Sequence, residues 1–441
     1  MKTELEVISP VKRKIVVEVE PGEVDRKLED AYRLLGRTAK VHGFRTGKAP
    51  KRILERYYGE QVAEDVAREI VRDTLPGAVE ETKSFPIAPP VVENGTVKAG
   101  QGFRYAAVLE VKPEFDLKDY MGLVAEKEIV RVTDEDVERQ LEEIRKANGK
   151  LSPVMSERGV QENDYVIVDY EGTEDGKPLE GAKASNFPVR VGGNEFHPDF
   201  EKALEGHRSG ETLQVSVSFE ENFHNPKLAG KRVDFQVKVN DIRELVMPEL
   251  NDEFAHHLSA DFQDLEDLRK KIREDLTSWE EKRAERDLKR RLMRKISTLV
   301  DFELPESLVE SEIDYAVSTL RQNFARMGSS LEKTGLSQEK LREDLRPASM
   351  RRVKELLILG EVARQNGLTV DDAELDEGFA QMGAGMNQDP QVVKRYYEAN
   401  ELTESYRQRL LEEKTLNYLV KGASIQEMDA SQLPAEENVE G

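Results

Sequence analysis

Residues 163–172, NDYVIVDYEG, read as a short strand closed by a turn, and the same pattern recurs through DGKPLEG (175–181), NFPVRVGG (186–193), ETLQVSVSF (211–219) and KRVDFQVKVNDI (231–242). Residues 161–243 therefore read as a small, separate β-rich domain. On its N-terminal side, VTDEDVERQLEEIRKANG (132–149) is a charged amphipathic helix capped by Thr133 with Asp136 three residues on. It gives residues 114–150 the character of a connector. Further upstream, an alternating strand, Lys14 to Val19, precedes a helix whose face is marked by Val24, Leu28, Ala31 and Leu35 and which Gly36 is placed to end. A second helix carries Ile53, Leu54, Tyr57, Tyr58, Val62, Val66, Ile70 and Val71 at helical spacing, and strands in VVENGTVKA (91–99) and FRYAAVLEVKP (103–113) complete an α+β unit over 1–113. Downstream, residues 246–425 are helical almost throughout, with narrow apolar stripes between charged flanks. Methionines at 247, 293, 327, 350, 382, 386 and 428 suit either an adaptable surface or gaps in a core. The acidic tail, 426–441, is expected to be disordered.

A length of 441 residues fits about three domains. With 38% hydrophobic and 35% charged residues the chain has too little apolar side chain for one tight core, which disfavours a compact globular enzyme. The net charge of −22 repels nucleic acid as a whole, so DNA is not expected as a partner and any RNA contact must be local. There is no cysteine, hence no disulfide, thiolate zinc site or thiol nucleophile, and the six histidines contain no HExxH spacing. No metal or cofactor is expected. No stretch approaches the ~20 apolar residues of a membrane span, and the first residues contain no apolar signal segment. The expectation is a cytoplasmic protein without membrane contact.

Residues 1–110 are nearly neutral, with 19 basic and 18 acidic side chains, yet Arg37, Lys40, Arg45, Lys48, Lys51, Arg52 and Arg56 stand together against Glu55 alone. At their centre is GFRTGKAP, Gly43 to Pro50, where two glycines and a proline shape a tight interhelical turn with Phe44 beside Arg45 and Lys48. An aromatic flanked by cations suits RNA phosphates or an acidic protein surface, although by composition alone a solvated turn is the commoner case. It is not a phosphate-binding P-loop: the spacing is one residue short, and Ala49 occupies the place of the magnesium-binding Ser or Thr.

This string resembles the ribosome-docking signature of the bacterial trigger factor family, GFRxGKxP, at Gly43, Phe44, Arg45, Gly47, Lys48 and Pro50. The resemblance extends over essentially the whole chain, including ELPESLVESEI (303–313) and RQRLLEEKTLNYLV (407–420). It implies a multidomain α+β protein: a ribosome-binding α+β domain at 1–113, a connector at 114–150 packed on the helical body, an isomerase domain at 151–245 and an all-α chaperone domain with arms at 246–425. The implied partners are a ribosomal protein and ribosomal RNA beside the exit tunnel, nascent and unfolded polypeptides, and a second copy of the chain off the ribosome. Binding and release would proceed without ATP.

The segment from VDYEG through DFQVKV similarly resembles the FK506-binding-protein (FKBP) class of peptidyl-prolyl isomerase. The resemblance implies an aromatic pocket of Tyr170, Phe187, Phe196, Phe200 at its floor, Phe223 and Phe235, with Glu180 in the acidic position and the backbone amide of His197 facing the substrate carbonyl. This chain has Leu179 where the class has phenylalanine, His197 where it has an aliphatic residue, Asp199 for glycine and Phe223 for tyrosine. The departures at Leu179, His197 and Phe223 keep open an adaptor chaperone with an inactive isomerase domain; a stand-alone isomerase whose helices only dimerise it is the other alternative.

Overall fold

The computed structural model describes residues 1–434 except 43, 45–46, 156–157, 175, 195, 222, 224–226, 328 and 332–336; the side chains of Asn94 and Glu180 are also outside the description. The chain forms two compact units, one of Met1–Ile129 with Ala284–Gly441 and one of Val130–Arg283.

In the first unit, β1 (Lys2–Val7) and β2 (Lys12–Val19) form an antiparallel pair, followed by α1 (Pro21–Thr38), α2 (Lys51–Thr82), β3 (Val91–Asn94) and β4 (Phe103–Glu110). The sheet order is β1-β2-β4-β3. Strand period brings Ile15, Val17 and Val19 of β2 and Phe103, Tyr105, Ala107 and Leu109 of β4 onto one face, where they meet Val24 and Leu28 of α1 and Val62, Val66 and Ile70 of α2. Gly36 does not end α1, contrary to the sequence reading. A glycine stops a helix by turning left-handed, whereas Gly36 stays helical, and the chain leaves at Ala39, whose N–H donates to the Leu35 carbonyl. Strand β5 (Val124–Glu128) follows.

The second unit begins with α3 (Asp134–Ala147), whose Thr133 and Asp136 form a reciprocal capping box. Strands β6 (Lys150–Pro153), β7 (Tyr165–Glu174), β8 (Lys177–Arg190), β9 (Thr212–Ser218) and β10 (Arg232–Val246) form an antiparallel sheet of order β6-β10-β7-β8, with β9 on the other part of long β10 and helix α4 (Pro198–Ala203) before β9. Helix α5 (Asp252–Leu258) and the start of α6 (Leu265–Ser297) make a separate small core with α3: Val137 and Leu141 meet Phe254, Ala255, Leu268 and Ile272. The connector expected over 114–150 is thus divided after Ile129, and residues 246–283 of the expected helical domain fall in this unit. The helical pattern is correctly placed, but α5 and early α6 bury their stripes on α3.

Back in the first unit, α7 (Glu306–Arg326), α8 (Gln338–Gln365), α9 (Asp372–Met386), α10 (Pro390–Ala399) and α11 (Thr403–Gly422) follow α6. Leu117 and Ala125 pack with Leu288, Leu292 and Ile296 of α6, Ile358 and Val362 of α8 and Leu419 of α11, so residues before Ile129 do lie on the helical body. Phe115 stacks on Phe302 at 4.1 Å. The acidic tail is not wholly irregular: Ser424–Met428 form β11, paired in parallel with β5, and a short 3-10 turn follows at Ala430–Gln432. Its last residues, 435–441, lie outside the described residues. Among the described residues no helix is long and apolar enough to cross a membrane.

Candidate functional site

Inward positions of β7 run Val166, Val168, Tyr170, Gly172, and those of β10 run Val233, Phe235, Val237, Val239. Antiparallel pairing sets Phe235 opposite Gly172, one inward step from Tyr170. A Cβ on Gly172 would stand 2.7 Å from Ala182 Cβ and 2.8 Å from Phe235 Cε1. The Phe235 ring therefore occupies space that only glycine leaves open. Gly172→Ala is expected to displace Phe235 and to destabilise the domain by about 1–3 kcal/mol, as overpacked cores do. Chemical denaturation measures the effect.

Around the Tyr170 ring stand Phe187 of β8 at 5.7 Å, Phe196 at 5.4 Å, Phe200 of α4 at 5.9 Å and Phe235 at 5.7 Å, with Phe187, Phe200 and Phe235 nearly perpendicular to it. Edge-to-face contact suits the ring quadrupoles and holds the set rigid. Phe200 and Phe235 are fully buried, forming the floor, while Phe187 and Phe196 are half-buried at the rim. Burial pushes the Tyr170 hydroxyl above its ordinary range. Phe223 packs on Phe219 at 4.6 Å, and Phe219 lies 6.2 Å from Phe235. Glu180 lies in β8, its side chain outside the described residues.

The His197 side chain acts locally. Its Nδ1 accepts the Asp199 N–H at 3.2 Å, capping α4, the helix that carries Phe200, and its ring meets Phe219 at 5.3 Å. Two pocket residues escape the sequence reading. Phe219 continues the period-two series Leu213, Val215, Val217 in the sequence, a legible signal. Glu201, 1% exposed, accepts the N–H groups of Asn194 at 2.8 Å and Phe196 at 3.0 Å; in sequence it is one more charged residue on a helix.

The basic loop rests on its own small core, in which Ala39, Val41 and Leu54 are buried with Tyr32, Leu35, Ala49, Ile53 and Tyr58 around them. Tyr58 donates to the Lys40 carbonyl at 3.2 Å, and the Phe44 N–H donates to the Val41 carbonyl at 3.0 Å. Gly47 has φ +85°, a left-handed conformation that favours glycine. Pro50 precedes the first turn of α2. Above this base Phe44 is 42% exposed and Lys48 is exposed, while Gly43 and Arg45 lie outside the described residues. One loop thus presents both an apolar ring and a lysine to solvent.

The helices expose further apolar side chains: Tyr315 on α7, Met350 on α8, Met386 on α9, and Val392 and Tyr396 on α10. A cavity of about 750 Å³ is lined by Tyr315, Leu356, Tyr397, Leu402 and Tyr406 with Arg352 and Arg409. Both readings of methionine occur, since Met293 is buried whereas Met327 is exposed.

The β-rich domain, with its aromatic box, belongs to the FKBP-type peptidyl-prolyl cis-trans isomerases, whose family model matches residues 156–240. Models described as bacterial trigger factor protein and bacterial trigger factor protein C-terminus match residues 1–144 and 264–421. Trigger factor of Geotalea daltonii is 34% identical over 98% of this chain and 100% of its own length, and that of Syntrophotalea carbinolica 35% identical over 98% of each. A solved structure described under promiscuous substrate recognition in folding and assembly activities of the trigger factor chaperone shares the fold, with a TM-score of 0.50 and 22% identity over 96% of this chain and 99% of that one. The chain belongs to the bacterial trigger factor family. It is a ribosome-associated chaperone for nascent chains with a peptidyl-prolyl isomerase domain.

Proposed function

We propose that the chain's two activities reside in the two places built above. Gly43, Phe44, Arg45, Gly47, Lys48 and Pro50 dock the protein beside the polypeptide exit tunnel, with Phe44, Arg45 and Lys48 meeting a ribosomal protein and ribosomal RNA. The aromatic pocket accepts the proline ring of an X-Pro bond between Phe187 and Phe196, over the Phe200 floor. The protein works in the cytoplasm without cofactor and forms a homodimer off the ribosome.

The chemistry needs no titratable group. Rotation about the bond faces a barrier of about 20 kcal/mol from amide resonance, and twisting the amide removes that resonance and with it part of its polarity. A water-free aromatic cavity favours the twisted state over the planar one, which is differential binding of the transition state. The observation that carries this reading is the interlocked box itself: Tyr170, Phe196, Phe200 and Phe235 are mutually within 6 Å, centroid to centroid. Apolar contacts that do not ionise also leave Leu179 and Phe223 as changes to the rim rather than to the reacting centre.

Phe200→Ala tests the pocket. Removing the buried ring is expected to cost about 3–5 kcal/mol in this domain and to admit water that stabilises the planar amide. Isomerase activity toward a proline-limited refolding substrate should fall more than tenfold at 10 °C, with ribosome binding unchanged. A folded variant that accelerates refolding like the wild type would refute the assignment.

A further inference from the structure

Among the described residues, Glu201 is the one carboxylate whose two oxygens both point into the loop that forms the pocket rim: one accepts the Asn194 N–H at 2.8 Å and the other the Phe196 N–H at 3.0 Å. It is 1% exposed, in a domain whose other described acidic side chains, Asp164 apart, keep access to water. A buried carboxylate without compensation is expensive, so the two amide bonds are the condition for its being there. Helix α4 also gives it a fixed origin: Phe200, the next residue back, is fully buried in the pocket floor, and His197 caps the first turn. The floor and the rim thus share one rigid element. Asn194 takes a left-handed conformation, φ +56°, which turns the chain so that both amides converge on the carboxylate. Phe196, on the second of these amides, packs at 4.6 Å from Phe200 and 5.4 Å from Tyr170.

We infer that Glu201 is a positioning residue for prolyl isomerisation: by holding the Asn194 and Phe196 amides it fixes the half-buried Phe196 ring as the wall against which the proline is pressed, and sets the neighbouring His197 at the substrate's carbonyl. This rests on the assignment of the aromatic pocket as the isomerase site. Without the carboxylate the loop keeps its covalent path but loses the two bonds that fix its height above Phe200. The pocket then exists with a movable wall, and the preference for the twisted amide declines with it.

The test compares full-length wild type, Glu201→Gln and Glu201→Ala. A glutamine oxygen can accept one amide while its NH2 opposes the other, so the expected order of activity is Glu, then Gln, then Ala, with at least a tenfold loss in kcat/KM for Ala. The Phe196 amide resonance in 15N-phenylalanine-labelled protein reports the bond, and should lie downfield in the wild type and move upfield in the same order as activity falls. A merely structural role is separated from it by the Phe200 and Phe235 signals, whose kept dispersion shows that activity falls in an intact core, and by the partial rescue with glutamine. Unchanged activity alongside a released Phe196 amide would overturn the inference. If both variants unfold, exchange in the wild type decides: protection of the Phe196 amide upholds the bond and free exchange overturns it. Phe200→Ala separates the two readings, because loss of activity there with none in folded Glu201→Ala removes only the role of Glu201, whereas no loss in either removes the pocket.

Discussion

Replacing Phe44, Arg45 and Lys48 together by alanine is expected to abolish co-sedimentation with ribosomes and to leave the circular dichroism spectrum unchanged. The chain carries −22 overall, so its mean field opposes approach to RNA, and the surplus of cations between Arg37 and Arg56 offsets that field locally. Contact of two or three phosphates there would give binding that weakens with salt at a logarithmic slope of about −1.5 to −3. Phe44 adds a term that salt does not screen, the burial of an exposed ring. The fold should survive because the loop's support is the core of Ala39, Val41 and Leu54, to which none of the three substituted residues belongs, and substitutions outside a core usually shift stability by no more than about 0.5 kcal/mol. Gly47→Ala offers a contrasting route to weaker docking, since it acts on the shape of the turn and not on its charge. Undiminished pelleting of the triple variant would move the docking surface elsewhere.

What could be read from the residues follows from how local each determinant is. Strand period alone places Tyr170 and Phe235 indoors, because a side chain two residues from an inward valine faces the same way. Phe219 obeys the same rule at the end of β9 and could have been found with it. Glu201 could not: a charged residue in DFEKA looks solvated, and its burial depends on amides of a loop that only the folded chain brings over it. The tail shows the same divide. Its acidic composition suggests disorder, yet Ser424–Met428 gain order from β5, some 300 residues earlier, a pairing that no local pattern announces. Conversely, glycine at the end of an apolar stripe is a sound stop signal in general, and it fails at Gly36 because that residue keeps helical geometry and the chain turns extended only at Ala39.

Removal of residues 151–245 is expected to leave aggregation suppression intact while eliminating prolyl isomerisation. The geometry of the cut is favourable, because Lys150 and Val246 are register partners in the antiparallel pairing of β6 with β10. Their Cα atoms are therefore about 5 Å apart, close enough for a two-residue turn to rejoin the chain. What remains on either side has its own support: α3 packs on α5 and α6 through Val137, Leu141, Phe254 and Ile272, Arg269 pairs with Glu138 at 2.6 Å, and Arg145 donates to the Pro248 carbonyl at 2.7 Å. None of these contacts uses the deleted residues. The apolar side chains exposed on α7 to α10 are also untouched, and they offer an unfolded client several weak sites where the aromatic pocket offers one. Linked weak contacts hold a flexible chain by effective concentration and still let each site open alone, which permits release without nucleotide. Light scattering of a diluted denatured client, with and without the shortened protein, reads the first activity, and refolding of a proline-limited substrate reads the second. A shortened protein that folds and binds ribosomes but no longer delays aggregation would place the client site in the isomerase domain and remove the helices from that role.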